Sequence, residues 1–177
     1  LGSVAAQITA HAVKEIHVDY AGELAEVDTQ ALTRYIVKGV LERHLGSEVN
    51  IVNSMHLAKS RDLHVVVSQT PKTKDFANLV TVTLKTQNGQ ERIVAGTLLL
   101  GYGERIVRLD KFPVDVAPEG HLILISHNDK PGIIGRVGTL LGENDVNIAS
   151  MQVGRKVIGG EAIMCLTVDK DVSKEVL

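Results

Sequence analysis

Three side chains in one short stretch carry the groups that would hold a small zwitterion. His127, Asp129 and Asn147 flank residues 133–143, which read as an apolar helix. A helix N-terminus offers unpaired N–H groups and the positive end of its dipole, so it attracts a carboxylate. Asp129, or the amide oxygen of Asn147, can accept from an ammonium, and His127 can bond a polar side chain. The expectation is a site for a free amino acid, with the end of the first strand and the approach to the second beside the same helix terminus. Each residue also has an ordinary role. Asp129 is a natural helix cap, Pro131 and Gly132 shape a first turn, Asn147 tolerates left-handed backbone, and His127 suits a surface strand end.

The elements around these residues are legible. Residues 121–127 form a buried-looking strand, 128–132 a polar turn, 144–147 a second turn, and 148–157 and 161–168 two further strands. This β-turn-α-turn-β-hairpin order is three-quarters of a ferredoxin-like βαββαβ unit. Residues 169–177 begin a second helix, and 1–8 read as the tail of one, so the chain is expected to be a segment of a longer protein.

Upstream, residues 14–20 alternate strictly, with Ile16, Val18 and Tyr20 on one face. Asp28 offers an N-cap for an amphipathic helix carrying Leu32, Tyr35, Ile36, Val40, Leu41 and Leu45 and ended by Gly46. A short strand at 49–52 and a helical turn at 57–61 follow, then strands at 63–68, 79–86, 91–100 and 104–109. Asn88-Gly89 is a hairpin dipeptide. The fold class is α+β: two α/β-sandwich domains, 1–116 with a mostly antiparallel sheet and 117–177, joined through 113–120.

Bulk properties exclude several classes. The 177 residues are comfortable for two domains, and 44% hydrophobic residues suffice for cores. A net charge of −2 and only 3% aromatic residues disfavour nucleic acid. A βαββαβ RNA-binding domain needs exposed rings, and strands 122–126 and 162–168 have none. No stretch approaches the ~20 apolar residues of a membrane span. The single Cys165 rules out an internal disulfide, suits a reducing cytoplasm, and reads as a packed small hydrophobe rather than a nucleophile. His44, His56 and His64 show no metal-ligand spacing, and Gly101-Tyr102-Gly103 does not continue into a nucleotide-binding helix. Arg92, Arg105, Arg108 and Lys111 make either a solvated sheet face or an anion site. Arg105 and Arg108 sit an odd number apart, so they share a face only across a bulge.

The run His127-Asn128-Asp129-Lys130-Pro131-Gly132-Ile133-Ile134-Gly135, with Val146-Asn147-Ile148-Ala149, resembles an ACT domain, the small amino-acid-binding regulatory unit. The longer runs 147–155 and 159–164 resemble the C-terminal part of the D-3-phosphoglycerate dehydrogenase family, which opens L-serine biosynthesis. Ala95-Gly96-Thr97-Leu98 and residues 105–110 are similar to the intervening, allosteric substrate-binding domain of its long form. The resemblance implies that L-serine or a related amino acid binds between the ACT domains of two subunits. His127, Asp129 and Asn147, with Ile148 beside it, match the effector site. Position 129 is commonly Asn in serine-inhibited members; Asp keeps an ammonium acceptor and loses an amide donor. Arg105 matches a residue implicated in binding anions, and Arg108 and Lys111 stand with it as candidates. The family's NAD-binding fold and catalytic residues belong to upstream domains, so this segment alone is expected to hold no cofactor and to oxidise nothing. The expected partners are an amino acid, further copies of the chain through the ACT domain, and upstream catalytic domains, with neither nucleic acid nor membrane. The alternatives are an amino-acid-sensing ACT regulator of another enzyme, or an oligomerisation module with no ligand.

Overall fold

In the computed structural model, which describes residues 1–73 and 75–177, the alternation at the start of the chain builds an interior strand of a large sheet. After a short helix α1 (Gly2–Gln7), strand β1 (Val13–Gly22) places Ile16, Val18 and Tyr20 on one fully buried face. The long helix α2 (Gln30–Leu45) covers that face, and the Tyr20 hydroxyl bonds the Thr33 hydroxyl of α2 at 2.9 Å. Asp28 assists the helix start by accepting the Gln30 N–H at 2.9 Å. The buried stripe is Thr33, Ile36, Val37, Val40 and Leu41, while Leu32 and Tyr35, expected on the core face, are exposed.

Residues 49–52, expected as a strand, are instead a turn. Asn50 and Asn53 bond neighbouring backbone N–H groups there and lead into helix α3 (Ser54–Ser60). Strands β2 (His64–Thr70), β3 (Asn78–Thr86), β4 (Glu91–Leu99) and β5 (Gly103–Leu109) complete the order β2-β1-β3-β4-β5. β2 runs parallel to β1; the other pairs are antiparallel.

The described residues divide into two compact units, Leu1–Asp110 and Lys111–Leu177. The division precedes the expected junction because residues 112–116 are themselves a strand, β6 (Phe112–Val116), whose alternate residues are buried beside β8. In the second unit β7 (His121–Asn128), helix α4 (Ile133–Glu143), β8 (Ile148–Arg155) and β9 (Glu161–Val168) follow in order. The small sheet runs β7-β9-β8, with β9 antiparallel to both neighbours. Ile133, Val137 and Leu141, four residues apart on α4, face a core of Ile123, Val146, Met164, Leu166 and Val168. The helix expected after β9 is a single turn: the Val176 and Leu177 N–H groups donate to the Ser173 carbonyl at 3.1 and 3.2 Å, and Val172 and Val176 pack on the core. The chain is thus a mixed α+β protein with one large sheet and one small one. Among the described residues no helix is long and apolar enough to cross a membrane.

Helices α1 and α2 touch backbone to backbone. A Cβ on Gly39 would lie 2.8 Å from the Ser3 nitrogen, and one on Gly2 would lie 2.1 Å from the Ile36 carbonyl oxygen. Gly138 of α4, by contrast, has open space at its Cβ position, with nothing beyond its own helix backbone within 4 Å among the described residues. Gly39→Val is therefore expected to destabilise the protein by about 1–3 kcal/mol through overpacking. Gly138→Ala should stabilise it by about 0.5–1 kcal/mol through helix propensity. Urea unfolding of the two variants checks the contrast; equal effects would contradict it.

Candidate functional site

Strand β7 delivers His127 to the end of the small sheet, opposite Ala162 of β9. His127 is half-buried, and its Nδ1 lies 2.9 Å from the Asn128 carbonyl oxygen. A carbonyl can only accept, so Nδ1 carries a proton, and in the neutral ring Nε2 is a bare acceptor. That Nε2 is shielded from solvent and has no hydrogen-bond partner among the described residues. Buried polar atoms are rarely left so, because an unmade bond costs the desolvation of the group.

The chain then turns into α4. The helix N-cap is Gly132, in the left-handed region at φ 86°, and it makes no side-chain cap. Asp129 does not take the capping role its sequence position suggests. Its N–H donates to the Gly160 carbonyl at 2.8 Å, and its Oδ2 accepts from Arg155 Nη1 at 2.6 Å and from the Gly159 N–H at 3.1 Å. The Arg155 guanidinium, with the Gly159 N–H second, holds the Asp129 carboxyl below the usual carboxylate range. Oδ1 takes no hydrogen bond among the described residues, so one acceptor oxygen stays open.

Arg155 is the site residue that sequence reasoning misses. It ends β8 opposite Ala162, the same β9 residue that faces His127, so three strands bring it to Asp129. Counting the β8–β9 hairpin back from its turn was the signal that could have found it.

Asn147 lies elsewhere. Ile148 pairs with Val168 on β9, whereas His127 pairs with Ala162. The six residue steps from position 162 to 168, at ~3.3 Å each, separate the two by roughly 20 Å along the strand. The expectation that both flank one helix terminus is corrected. A crossover helix starts beyond the end of the first strand and finishes beyond the start of the second, and parallel strands put those points at opposite ends of the sheet. At its own end Asn147 donates its side-chain amide to Asp169 Oδ2 at 2.7 Å and accepts the Asp169 N–H at 3.2 Å. The Ile148 side chain packs against the core, and the residue pairs with Val168 of β9.

In the first unit a register shift between Ala95 and Gly96 opposes Arg108 to Ala95 and Ile106 to Gly96. The extra residue, Val107, makes a bulge, without which Arg105 and Arg108 could not share a face. Ile106 and Leu109 are both buried, and Arg105 and Arg108 both turn away from that core. Arg108 donates from Nε to the Asp110 carbonyl at 2.6 Å, and the Asp110 carboxylate takes Arg92 at 2.6 Å. Lys111 belongs to the second unit and pairs with Glu161, holding that carboxyl below its usual range. Cys165 is buried, and burial pushes its thiol up to about 11, as fits a packed hydrophobe. No group of His, Cys, Asp and Glu able to hold a metal occurs among the described residues.

Residues 1–110 match the family model of the D-3-phosphoglycerate dehydrogenase intervening domain, and residues 121–177 match that of the ACT domain. The D-3-phosphoglycerate dehydrogenase of Bacillus subtilis is 37% identical over 177 residues, covering 100% of this chain and 34% of that protein. The enzyme of the same name from Methanocaldococcus jannaschii is 38% identical over 177 residues, 100% of this chain and 33% of that protein. That from Archaeoglobus fulgidus is 37% identical over 179 residues, again 100% of the chain and 34% of the relative. The chain spans about a third of the length of the curated relatives it matches.

The Asp129–Arg155 pair makes a pH prediction. A carboxyl with a depressed pKa stabilises the folded state above the unfolded pKa, ~3.9, and loses that contribution as pH falls through the lower folded value. In an NMR titration the Asp129 carboxyl carbon should therefore titrate below ~3.9 and move up toward it in Arg155→Ala. Titration unchanged by the substitution would contradict the pairing.

Proposed function

We propose that this chain, which belongs to the D-3-phosphoglycerate dehydrogenase intervening-domain family and continues into an ACT domain, is the regulatory part of such a dehydrogenase. Its second unit binds a small amino acid, L-serine, at a site shared by two copies of the chain. NAD and the oxidation of substrate belong to other parts of that enzyme, which works in the cytoplasm.

The observation that carries the reading is the shielded, unpartnered Nε2 of His127 beside an uncapped helix N-terminus. A serine hydroxyl or ammonium supplies the donor that Nε2 lacks. The first-turn N–H groups of α4 receive the carboxylate, and Asp129 Oδ1 gives a second acceptor. Asn147 and the Ile148 backbone come from the second copy, since in their own chain they sit at the far end of the sheet. Filling such a site favours the paired arrangement only by the difference in affinity between the two states. A coupling of ~1–3 kcal/mol would change activity about five- to 150-fold. In the first unit, the face on which the bulge sets Arg105 and Arg108 receives an anion.

One observation favours a second reading, an oligomerisation module without ligand: Asp129 Oδ2 is already filled by Arg155 and Gly159. Titration calorimetry separates the two. L-serine should release heat with the unsubstituted chain and none with His127→Ala or with Asn147→Ala. Mixing the two variants should restore binding to about a quarter of the sites. A two-fold pair of one variant with the other has one intact site of two, and random mixing makes half the pairs mixed. No heat with the unsubstituted chain favours the module; heat that mixing fails to restore removes the shared site.

A further inference from the structure

The first unit contains a cavity of about 390 Å³ that none of the functions above uses. Its floor is apolar: Ala6 from α1, Val13 from β1, Val40 and Leu41 from α2, and Leu63 just before β2. Four exposed basic groups stand at its rim, His11, Arg43, His44 and Arg61. No Asp or Glu lines the cavity, and none of the four makes an ion pair among the described residues. Among the described residues the one side-chain bond they make is weak, from Arg61 Nη1 to the Ser60 hydroxyl at 3.4 Å.

Part of this charge has a local cause. Arg43 and His44 occupy the last turn of α2 and Arg61 is the C-cap of α3, where cations offset the negative end of a helix dipole. That accounts for a cation at each helix end. It does not account for two separate helix ends and the bend at His11 surrounding one apolar depression with no acid among them. Two arginines fixed positive across a desolvating floor lack a counter-charge, and their planar forks suit the paired oxygens of a carboxylate or phosphate. The volume lies within the ~300–1,000 Å³ of ordinary ligand clefts. A bare inorganic anion would leave the floor wet; an anion carrying an apolar body would not.

We propose that this cavity binds a small amphiphilic anion, its carboxylate or phosphate head between Arg43 and Arg61 and its aliphatic or aromatic body on the Val40–Leu41–Leu63 floor. Calorimetry of the whole 177-residue chain with octanoate, octyl phosphate and octylamine tests it. At least one of the two anions should bind saturably, the tighter identifying the preferred head, and octylamine should not bind. Arg43→Gln with Arg61→Gln should weaken the anion by at least about tenfold. Should that double variant unfold, methyl NMR of the unsubstituted chain decides: octanoate or octyl phosphate must shift the methyls of Val13, Val40 and Leu63. Equal binding of octylamine, undiminished binding to a folded double variant, or methyl shifts confined to other residues would overturn the assignment.

Discussion

Two parallel strands on either side of β9 set what the second unit can do. Because β7 and β8 run the same way, α4 must cross between them, and its two ends fall at opposite edges of the small sheet. One edge collects the His127 ring, the uncapped helix start and the Asp129 carboxylate; the other collects Asn147 and Asp169. No single copy can close these groups around one small molecule, since roughly 20 Å of strand lies between them. The same topology brings Arg155 to Asp129 by making the ends of β7 and β8 neighbours across β9. A zwitterion at the His127 edge thus meets a carboxylate already held by a guanidinium, and it must use the oxygen that Arg155 leaves open.

The first unit shows how little the placement of a basic surface depends on composition and how much on register. One extra residue in β5 turns Arg105 and Arg108 to the same side, while Ile106 and Leu109 keep to the buried one. Asp110 then draws on both Arg92 and Arg108, so the basic set is partly neutralised by its own loop. The close crossing of α1 on α2 through Gly2 and Gly39 is a similar matter of missing atoms rather than of polarity.

Elements with strong periodicity were readable from sequence alone. Ile16, Val18 and Tyr20 alternate and are buried; residues 133–143 and 161–168 begin and end as their patterns say. Weaker segments were not. Phe112–Val116 carries a proline and sits where a linker was expected, yet its alternation is buried against β8. Residues 49–52 look β-branched, but two asparagines that bond nearby backbone dominate them. Tyr35 and Leu32 have helical spacing, yet both are exposed. At the site, residue types were legible and distances were not. His127, Asp129 and Asn147 could be chosen by their chemistry, but which of them share an end follows from strand direction. Nothing in a run of letters linked Arg155 to Asp129 until the hairpin register was known.

The central claim is that the two halves of the amino-acid site come from different copies. Isotope-filtered NMR on an equimolar mixture of labelled and unlabelled chains, saturated with L-serine, tests it most directly. The account predicts intermolecular contacts between the His127 ring of one chain and the Asn147 side chain of another, both touching the bound ligand. Ligand contacts to His127 with no signal crossing between chains would contradict it.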